Sequence, residues 1–347
     1  MEAQVRNVHC YTSITYSYLD RARVLAESIK RFHPDWTIWL LMSDEAPADL
    51  EFDLENENFD HMITVAELGI PEWRRWMFSH DIVELCTAVK GPMMARLLEN
   101  GADSVVYLDP DTALFAPLDD VLAMLEKHSV VLTPHIATPE TSIEGIMDNE
   151  IGSLKHGVYN LGFVAVQNVP EGVRFGQWWR DRLLQFCRDD VPNGLFTDQR
   201  WCDLVPALFD GVGVLRNSGY NVASWNLSNR PISMHANGEI LAGENPLRFF
   251  HFTKVNSVGE HMLERYSYGR TEVFELLRWY RDRLVFHRAV GLPSGWWAYG
   301  VYENGTPIPR SHRLAWRDRG DLRAHFRDPY RSGPESFADW CKANGLN

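Results

Sequence analysis

The stretch Ser104-Val105-Val106-Tyr107-Leu108-Asp109-Pro110-Asp111-Thr112-Ala113-Leu114-Phe115 decides the reading of the chain, because an apolar run ends in two carboxylates one residue apart and then resumes. Val105 to Leu108 form a short continuous block of strand-forming residues, the pattern of a buried central strand. Pro110 has no backbone donor and bends the chain where that strand must stop. Asp109 and Asp111 therefore fall at the carboxyl edge of a sheet, where open α/β sheets bind their ligands. Carboxylate oxygens are hard ligands that suit Mg²⁺ or Mn²⁺. The same Asp-Pro-Asp also makes a good turn after a strand with no ligand at all, so both readings stand at this point.

The remainder of the chain alternates strand and helix signals around this tip. Val8 to Ser13 reads as a first strand, and Tyr18, Leu19, Ala22, Leu25, Ala26, Ile29 and Phe32 follow at helical spacing until Pro34. Thr37 to Met42 is a second apolar run, succeeded by an acidic surface connection from Asp49 to Asp60. Strand, helix, strand implies parallel pairing. Residues 80–99 are helical with a break at Lys90-Gly91-Pro92, Val121 to Leu125 is a short helix, and Val130 to Thr133 and Tyr159 to Val166 are strands. The polar, weakly periodic stretch Thr138 to Lys155 is expected to be a mobile surface segment. A helix containing Trp178-Trp179 follows, and an amphipathic helix begins near Arg270. The expected fold is α/β with a mostly parallel central sheet: a main domain over residues 1–265 and a helical, irregular extension over 266–347.

Composition narrows the function classes. The 347 residues are 45% hydrophobic and 23% charged, which is ordinary for a globular protein. A net charge of −13 argues against nonspecific nucleic-acid binding, which requires Lys and Arg to displace counterions from phosphates. Cys10, Cys86, Cys187, Cys202 and Cys341 form no CxxC pair, so neither a zinc site nor a disulfide framework is indicated, and reduced thiols in the cytoplasm are expected. No apolar stretch approaches the ~20 residues of a membrane-spanning helix.

Four further segments carry the chemistry: Tyr11-Thr12-Ser13, Asn160-Leu161-Gly162, Thr197-Asp198-Gln199-Arg200, and Phe249-Phe250-His251-Phe252-Thr253-Lys254. In order and spacing, over about residues 8–255, they resemble the GT-A glycosyltransferases, in particular the retaining glycogenin and lipopolysaccharide-galactosyltransferase family. The resemblance implies a Rossmann-like nucleotide-sugar-binding fold and a Mn²⁺- or Mg²⁺-dependent hexosyl transfer with retention. The donor would be a nucleotide-diphosphate sugar such as a UDP-sugar, and the acceptor a glycan, glycolipid or glycoprotein. It implies that Asp109, Asp111 and His251 bind the metal, that Thr12 and Ser13 touch the nucleotide, and that Lys90 and Lys254 lie near the diphosphate. Asn160 and Gly162 would then meet the sugar, with Asp198 and Gln199 at the catalytic centre. The family's late segment runs His-x-x-Gly-x-x-Lys-Pro-Trp, whereas here Lys254 follows His251 by three positions with neither the Gly nor the Pro-Trp.

Each assignment has a structural alternative. His251 sits in an apolar strand where a histidine can be a satisfied core residue; Lys90 can cap a helix carboxyl end; Asn160 and Gly162 suit a turn; Asp198 and Gln199 can cap the helix after them. Trp296-Trp297 can be an acceptor platform or a packing pair. Two other functions compete: a catalytically silent carbohydrate-binding or scaffold protein, and a haloacid-dehalogenase-type phosphatase. The phosphatase pattern wants Thr or Val two places after the second Asp, where this chain has Ala113.

Overall fold

A computed structural model describes residues 7–255 and 258–346. The chain opens with β1 (Val8–Ile14), α1 (Leu19–Phe32), β2 (Thr37–Met42) and β3 (His61–Thr64). Three short helices follow, α2 (Trp73–Met77), α3 (Ile82–Ala88) and α4 (Lys90–Glu99), and then β4 (Ser104–Leu108), β5 (Thr112–Leu114), β6 (Val130–Pro134) and β7 (Tyr159–Gln167). Seven strands make the central sheet in the order Val212–Val214, β6, β7, β4, β1, β2, β3. Neighbours pair in parallel except β7, which runs antiparallel between β4 and β6. The fold is therefore the mostly parallel α/β sheet that the strand and helix signals require.

β4 lies at the centre and is buried on both faces, as its unbroken apolar run demands. Because strand side chains alternate, Val105 and Tyr107 enter one core with α3, α4 and the helix Pro170–Phe186, while Val106 and Leu108 enter the opposite core against α1 and the helix Asp119–Leu125. The first of these cores continues into the carboxyl region: Phe78 meets Tyr330, Trp316 and Phe337 edge-on at ring distances of 4.9, 5.7 and 5.6 Å. A third core joins Phe252 and Val255 to the helices Val258–Tyr266 and Glu272–Phe286, with Phe252 stacked on Tyr280 at 3.9 Å. Apolar packing thus runs continuously across position 265. Trp296 donates its indole N–H to the Glu45 carbonyl at 2.8 Å, and the Arg313 guanidinium lies 4.7 Å over the Trp297 ring. Trp296 thus ties the carboxyl region to the loop after β2, and Trp297 packs within the carboxyl region.

The stretch expected to be a mobile surface segment is instead helical: Ile143–Gly145, a π-turn Ile146–Glu150, and Ile151–His156. Polar contacts hold it. Ser142 caps Gly145 N–H at 3.0 Å, Asn149 donates to Glu140 at 2.7 Å, and the Tyr266 hydroxyl donates to Asp148 at 2.8 Å. Ile143, Met147 and Leu154 face solvent, which is why no buried apolar stripe marks the helix in the sequence.

A close helix crossing sets the position of Lys90. At Gly91 a β-carbon would lie 2.7 Å from the Arg180 backbone nitrogen, and at Gly176 one would lie 3.1 Å from Leu98. Glycine in a helix costs about 1 kcal/mol against alanine, a cost accepted here for the approach of α4 to the helix Pro170–Phe186. Gly91→Ala is expected to destabilise the protein by about 1–3 kcal/mol through overpacking. Urea denaturation checks this, with an unchanged midpoint counting against the close crossing.

Candidate active site

The two carboxylates are fixed by backbone hydrogen bonds on both sides. Asp109 N–H donates to the Gly162 carbonyl at 2.9 Å, and Thr112 closes the turn by donating its N–H and hydroxyl to the Asp109 carbonyl at 3.1 and 2.8 Å. β5 then pairs antiparallel with Phe249–His251, setting His251 opposite Thr112, and Phe252 N–H donates to the Asp111 carbonyl at 2.7 Å. Strand pairing thereby carries a histidine from late in the chain to the tip of β4. His251 Nε2 lies 3.1 Å from Asp111 Oδ1 and 3.7 Å from Asp109 Oδ2, and the three residues offer ligand atoms within 4.8 Å of one another. Burial alone would raise the Asp111 carboxyl, but the adjacent His251 prevails and holds it below the usual carboxylate range. Burial would likewise lower His251, yet Asp111 and then Asp109 raise it.

His251 is oriented by a second set of residues. Its Nδ1 lies 3.2 Å from the side-chain Oδ1 of Asn221, a residue that is fully buried and has a left-handed φ of 52°. The Asn221 amide in turn donates to Thr133 Oγ1 at 2.8 Å and Asn160 Oδ1 at 3.0 Å. An amide oxygen only accepts, so the Nδ1 proton stays on that side and Nε2 faces the carboxylates. Gly162 leaves room for the ring: a β-carbon there would come within 2.5 Å of His251 Cε1. Trp225 packs edge-on against His251 at 5.3 Å, and its indole nitrogen is buried without a partner among the described residues. Two carboxylates and an oriented imidazole are a donor set that fits a divalent cation of the Mn²⁺ or Mg²⁺ kind.

Behind the cluster lies a buried ion network. Lys90, at the start of α4 and 2% exposed, directs Nζ to Asp109 Oδ1 at 3.1 Å, Asp198 Oδ2 at 2.9 Å and the Leu161 carbonyl at 3.1 Å. It also lies 4.2 Å over the Tyr107 ring, whose hydroxyl donates to the same Asp109 oxygen. A helix amino terminus disfavours a cation, so the two carboxylates account for a lysine here. Burial would lower its pKa, but Asp109 and Asp198 drive it well above the usual lysine value. Asp198 is raised by burial, against the pull of Lys90.

The sequence candidates separate by location. Asp109, Asp111 and His251 come together. Lys90 and Asp198 join them from behind, but the three Lys90 donors are directed at Asp109, Asp198 and Leu161. Gln199 accepts from Leu161 N–H and the Asn160 amide at 3.1 and 3.3 Å and donates to the His156 carbonyl at 2.9 Å, so it holds the start of β7. Asn160 and Gly162 lie within β7 rather than in a turn. Asp198 follows Thr197, whose φ is 45°, and neither Asp198 nor Gln199 caps the turn Arg200–Leu204 with its side chain. Thr12 and Ser13 are buried at the end of β1, their hydroxyls without hydrogen-bond partners among the described residues, and Lys254 occupies a turn at φ 50°. Asn221, Trp225, Thr133 and Tyr107 have roles that the sequence did not disclose. Only Tyr107, inside the decisive stretch, carried any signal.

No protein-family model matches the chain. It is 24% identical over 270 residues to the uncharacterized protein YfnD of Bacillus subtilis (strain 168), covering 76% of this chain and 83% of that one. It is also 24% identical over 255 residues to YfnF of the same strain, covering 72% and 82%. Among solved structures it is similar to the glycosyltransferase GlyE of Streptococcus pneumoniae TIGR4, with 14% identity, a TM-score of 0.43, and coverage of 86% of this chain and 67% of that one. A second is the galactosyltransferase LgtC in complex with donor and acceptor sugar analogs, at 15% identity, a TM-score of 0.40, and coverage of 75% and 95%.

Asn221→Ala is expected to weaken Mn²⁺ binding about 10–100-fold, the usual effect of losing a group that orients a metal ligand. Electron paramagnetic resonance titration of free Mn²⁺ measures this, and an unchanged affinity would remove Asn221 from the site. Lys90→Met leaves Asp109 and Asp198 without their shared cation and is expected to cost about 3–5 kcal/mol. Adding Asp198→Asn should recover part of that loss in the same denaturation assay.

Proposed function

We propose that the chain is a metal-dependent glycosyltransferase that moves a hexosyl unit from a nucleotide-diphosphate sugar, such as a UDP-sugar, to a glycan, glycolipid or glycoprotein acceptor. The observation that carries this reading is the Asp109, Asp111 and His251 cluster at the carboxyl edge of a mostly parallel α/β sheet, backed by the Lys90 and Asp198 pair. A bound Mn²⁺ or Mg²⁺ would supply Lewis-acid stabilisation to the departing diphosphate. Asn221 keeps His251 turned toward that position, while Lys90 and Tyr107 engage the other Asp109 oxygen and leave Oδ2 facing His251.

Thr12 and Ser13 are assigned to the nucleotide, consistent with their unpartnered hydroxyls at the same sheet edge. Lys254, three residues beyond His251, is assigned to the diphosphate, and Asn160 with Gly162 to the sugar side. Asp198 is assigned to the side of the transferred sugar, with Gln199 holding the entry to β7 beside it. A carboxylate tied to Lys90 suits charge stabilisation better than proton abstraction, which supports retention of the anomeric configuration. The phosphatase alternative wants Thr or Val two places after the second Asp, where this chain has Ala113. No helix among the described residues is long and apolar enough to cross a membrane, and all five cysteines are free thiols; both suit the proposed cytoplasmic setting.

Hydrolysis of nucleotide sugars with Mn²⁺ present tests the proposal. Asp111→Asn should lower turnover about 100-fold or more, the scale of losing one preorganised electrostatic group, while the circular dichroism spectrum stays unchanged. Full, chelator-resistant activity in that variant would refute the metal assignment. NMR of the first-formed product is expected to show the donor's anomeric configuration; the opposite anomer would make Asp198 a candidate general base.

A further inference from the structure

A second concentration of charge lies outside this cluster. Although the chain carries a net −13, a cavity of about 490 Å³ is lined by Arg75, Arg188, Arg317 and Arg323 against the single carboxylate of Glu72. It lies between α2, the carboxyl end of the helix Pro170–Phe186, and the helices Arg310–Asp318 and Gly320–His325 of the carboxyl region. His80 also borders it and adds no charge at neutral pH, because burial pushes its imidazole down to about 4.

The guanidinium groups are incompletely satisfied. Four arginine nitrogens are buried without a hydrogen-bond partner among the described residues, and three of them, Arg75 Nε, Arg188 Nε and Arg317 Nη1, belong to arginines that line this cavity, just behind its surface. Arg317 Nη1 is 3.5 Å from the buried Glu84, too long for a good hydrogen bond, and Glu84 is shared with Arg310 at 3.4 Å. Arg75 pairs with Glu72 at 2.6 Å and also donates to the Arg323 carbonyl, yet its Nε remains free. Leaving several buried donors unmade is costly, and arginines gathered against their mutual repulsion call for a multiply charged acceptor. Trp76 and Phe186 give the cavity apolar walls. One register step ties it to the site already described, since Arg188 pairs with Thr197, the residue before Asp198.

We infer that this cavity binds a phosphate group, with Arg75, Arg188 and Arg317 on its oxygens and space beside Trp76 and Phe186 for a small organic moiety. The inference stands on the cavity alone and does not require sugar transfer. The phosphate can arrive as the free ion or as an ester on a saccharide, and the test separates the two. Isothermal titration uses the full chain carrying Asp111→Asn, with chelator present so that the carboxylate cluster takes no part. The probes are inorganic phosphate and glucose 6-phosphate, with glucose as the uncharged control.

Binding of either phosphate but not of glucose is expected. Equal affinity for the two identifies a free-phosphate site, and tighter binding of the sugar phosphate identifies an ester site. Arg188→Gln should weaken binding about tenfold, the loss of one charge-assisted contact, without disturbing the fold, because the Arg188 side chain makes a 3.4 Å bond to the Gln185 carbonyl and lies 5.6 Å over the exposed Phe186 ring, both weak contacts. Arg317→Gln provides the second variant. Failure of both probes to bind, or binding unchanged in both variants, overturns the inference. Nucleotide-sugar hydrolysis by chain carrying Arg188→Gln alone is read separately, so a failure here is distinct from a failure of the proposed transfer.

Discussion

The Lys90 ammonium, sealed beneath the carboxylates of Asp109 and Asp198, is the constraint on which the rest of the site depends. Neither carboxylate could be buried so close to the other without it. Their mutual repulsion would protonate one of them, and the ordered tip of β4 would lose its charge. The lysine reaches that point because two helices cross tightly at Gly91, and it stays charged because the protein gives it two anions and a backbone carbonyl in place of water. Helix packing, sheet topology and ligand geometry are therefore one arrangement. A change in the spacing of α4 alters the position of Asp109.

Above this buried pair the design is one of successive orientation. Thr133 and Asn160 hold Asn221, Asn221 holds His251, and His251 faces Asp111 and Asp109. Glycine at position 162 and the edge of Trp225 define the space in which the imidazole sits. Gln199 works at a different level: its amide completes the backbone at the entry to β7 and links it to the helical segment ending at His156. Side chains that the sequence grouped as one catalytic set thus divide into those that face the cluster and those that fix the strand beneath it.

Five strands of the central sheet were legible in the sequence because they are short apolar blocks bounded by Gly, Pro and Asp, β4 above all, whereas the edge strands His61–Thr64 and Val212–Val214 were too short and too little apolar to be read. The Asp109, Asp111 and His251 grouping was legible through resemblance, since nothing local tells that Phe249–His251 pairs with β5. Asn221 was invisible: an asparagine in a polar stretch gives no sign of a left-handed backbone or of a buried contact with a histidine. The helical turns before β7 were not read from the sequence because capping and ion pairs, rather than an apolar stripe, hold them together. The placement of Lys90 was half legible, its nearness to the cluster implied by resemblance, its enclosure by two carboxylates dependent on tertiary packing.

The pairing of His251 with Thr112 joins strands far apart in sequence. Contacts of that kind close late, because the chain entropy of a long loop must be overcome before the contact offers any return. The cluster therefore exists only in the completed fold, and a cation that recognises all three ligands binds the native state and ignores the unfolded chain. By mass action such an ion acts as a thermodynamic latch, shifting the folding equilibrium in proportion to its concentration relative to its dissociation constant. A cation held there would couple the persistence of the fold to the supply of metal around it.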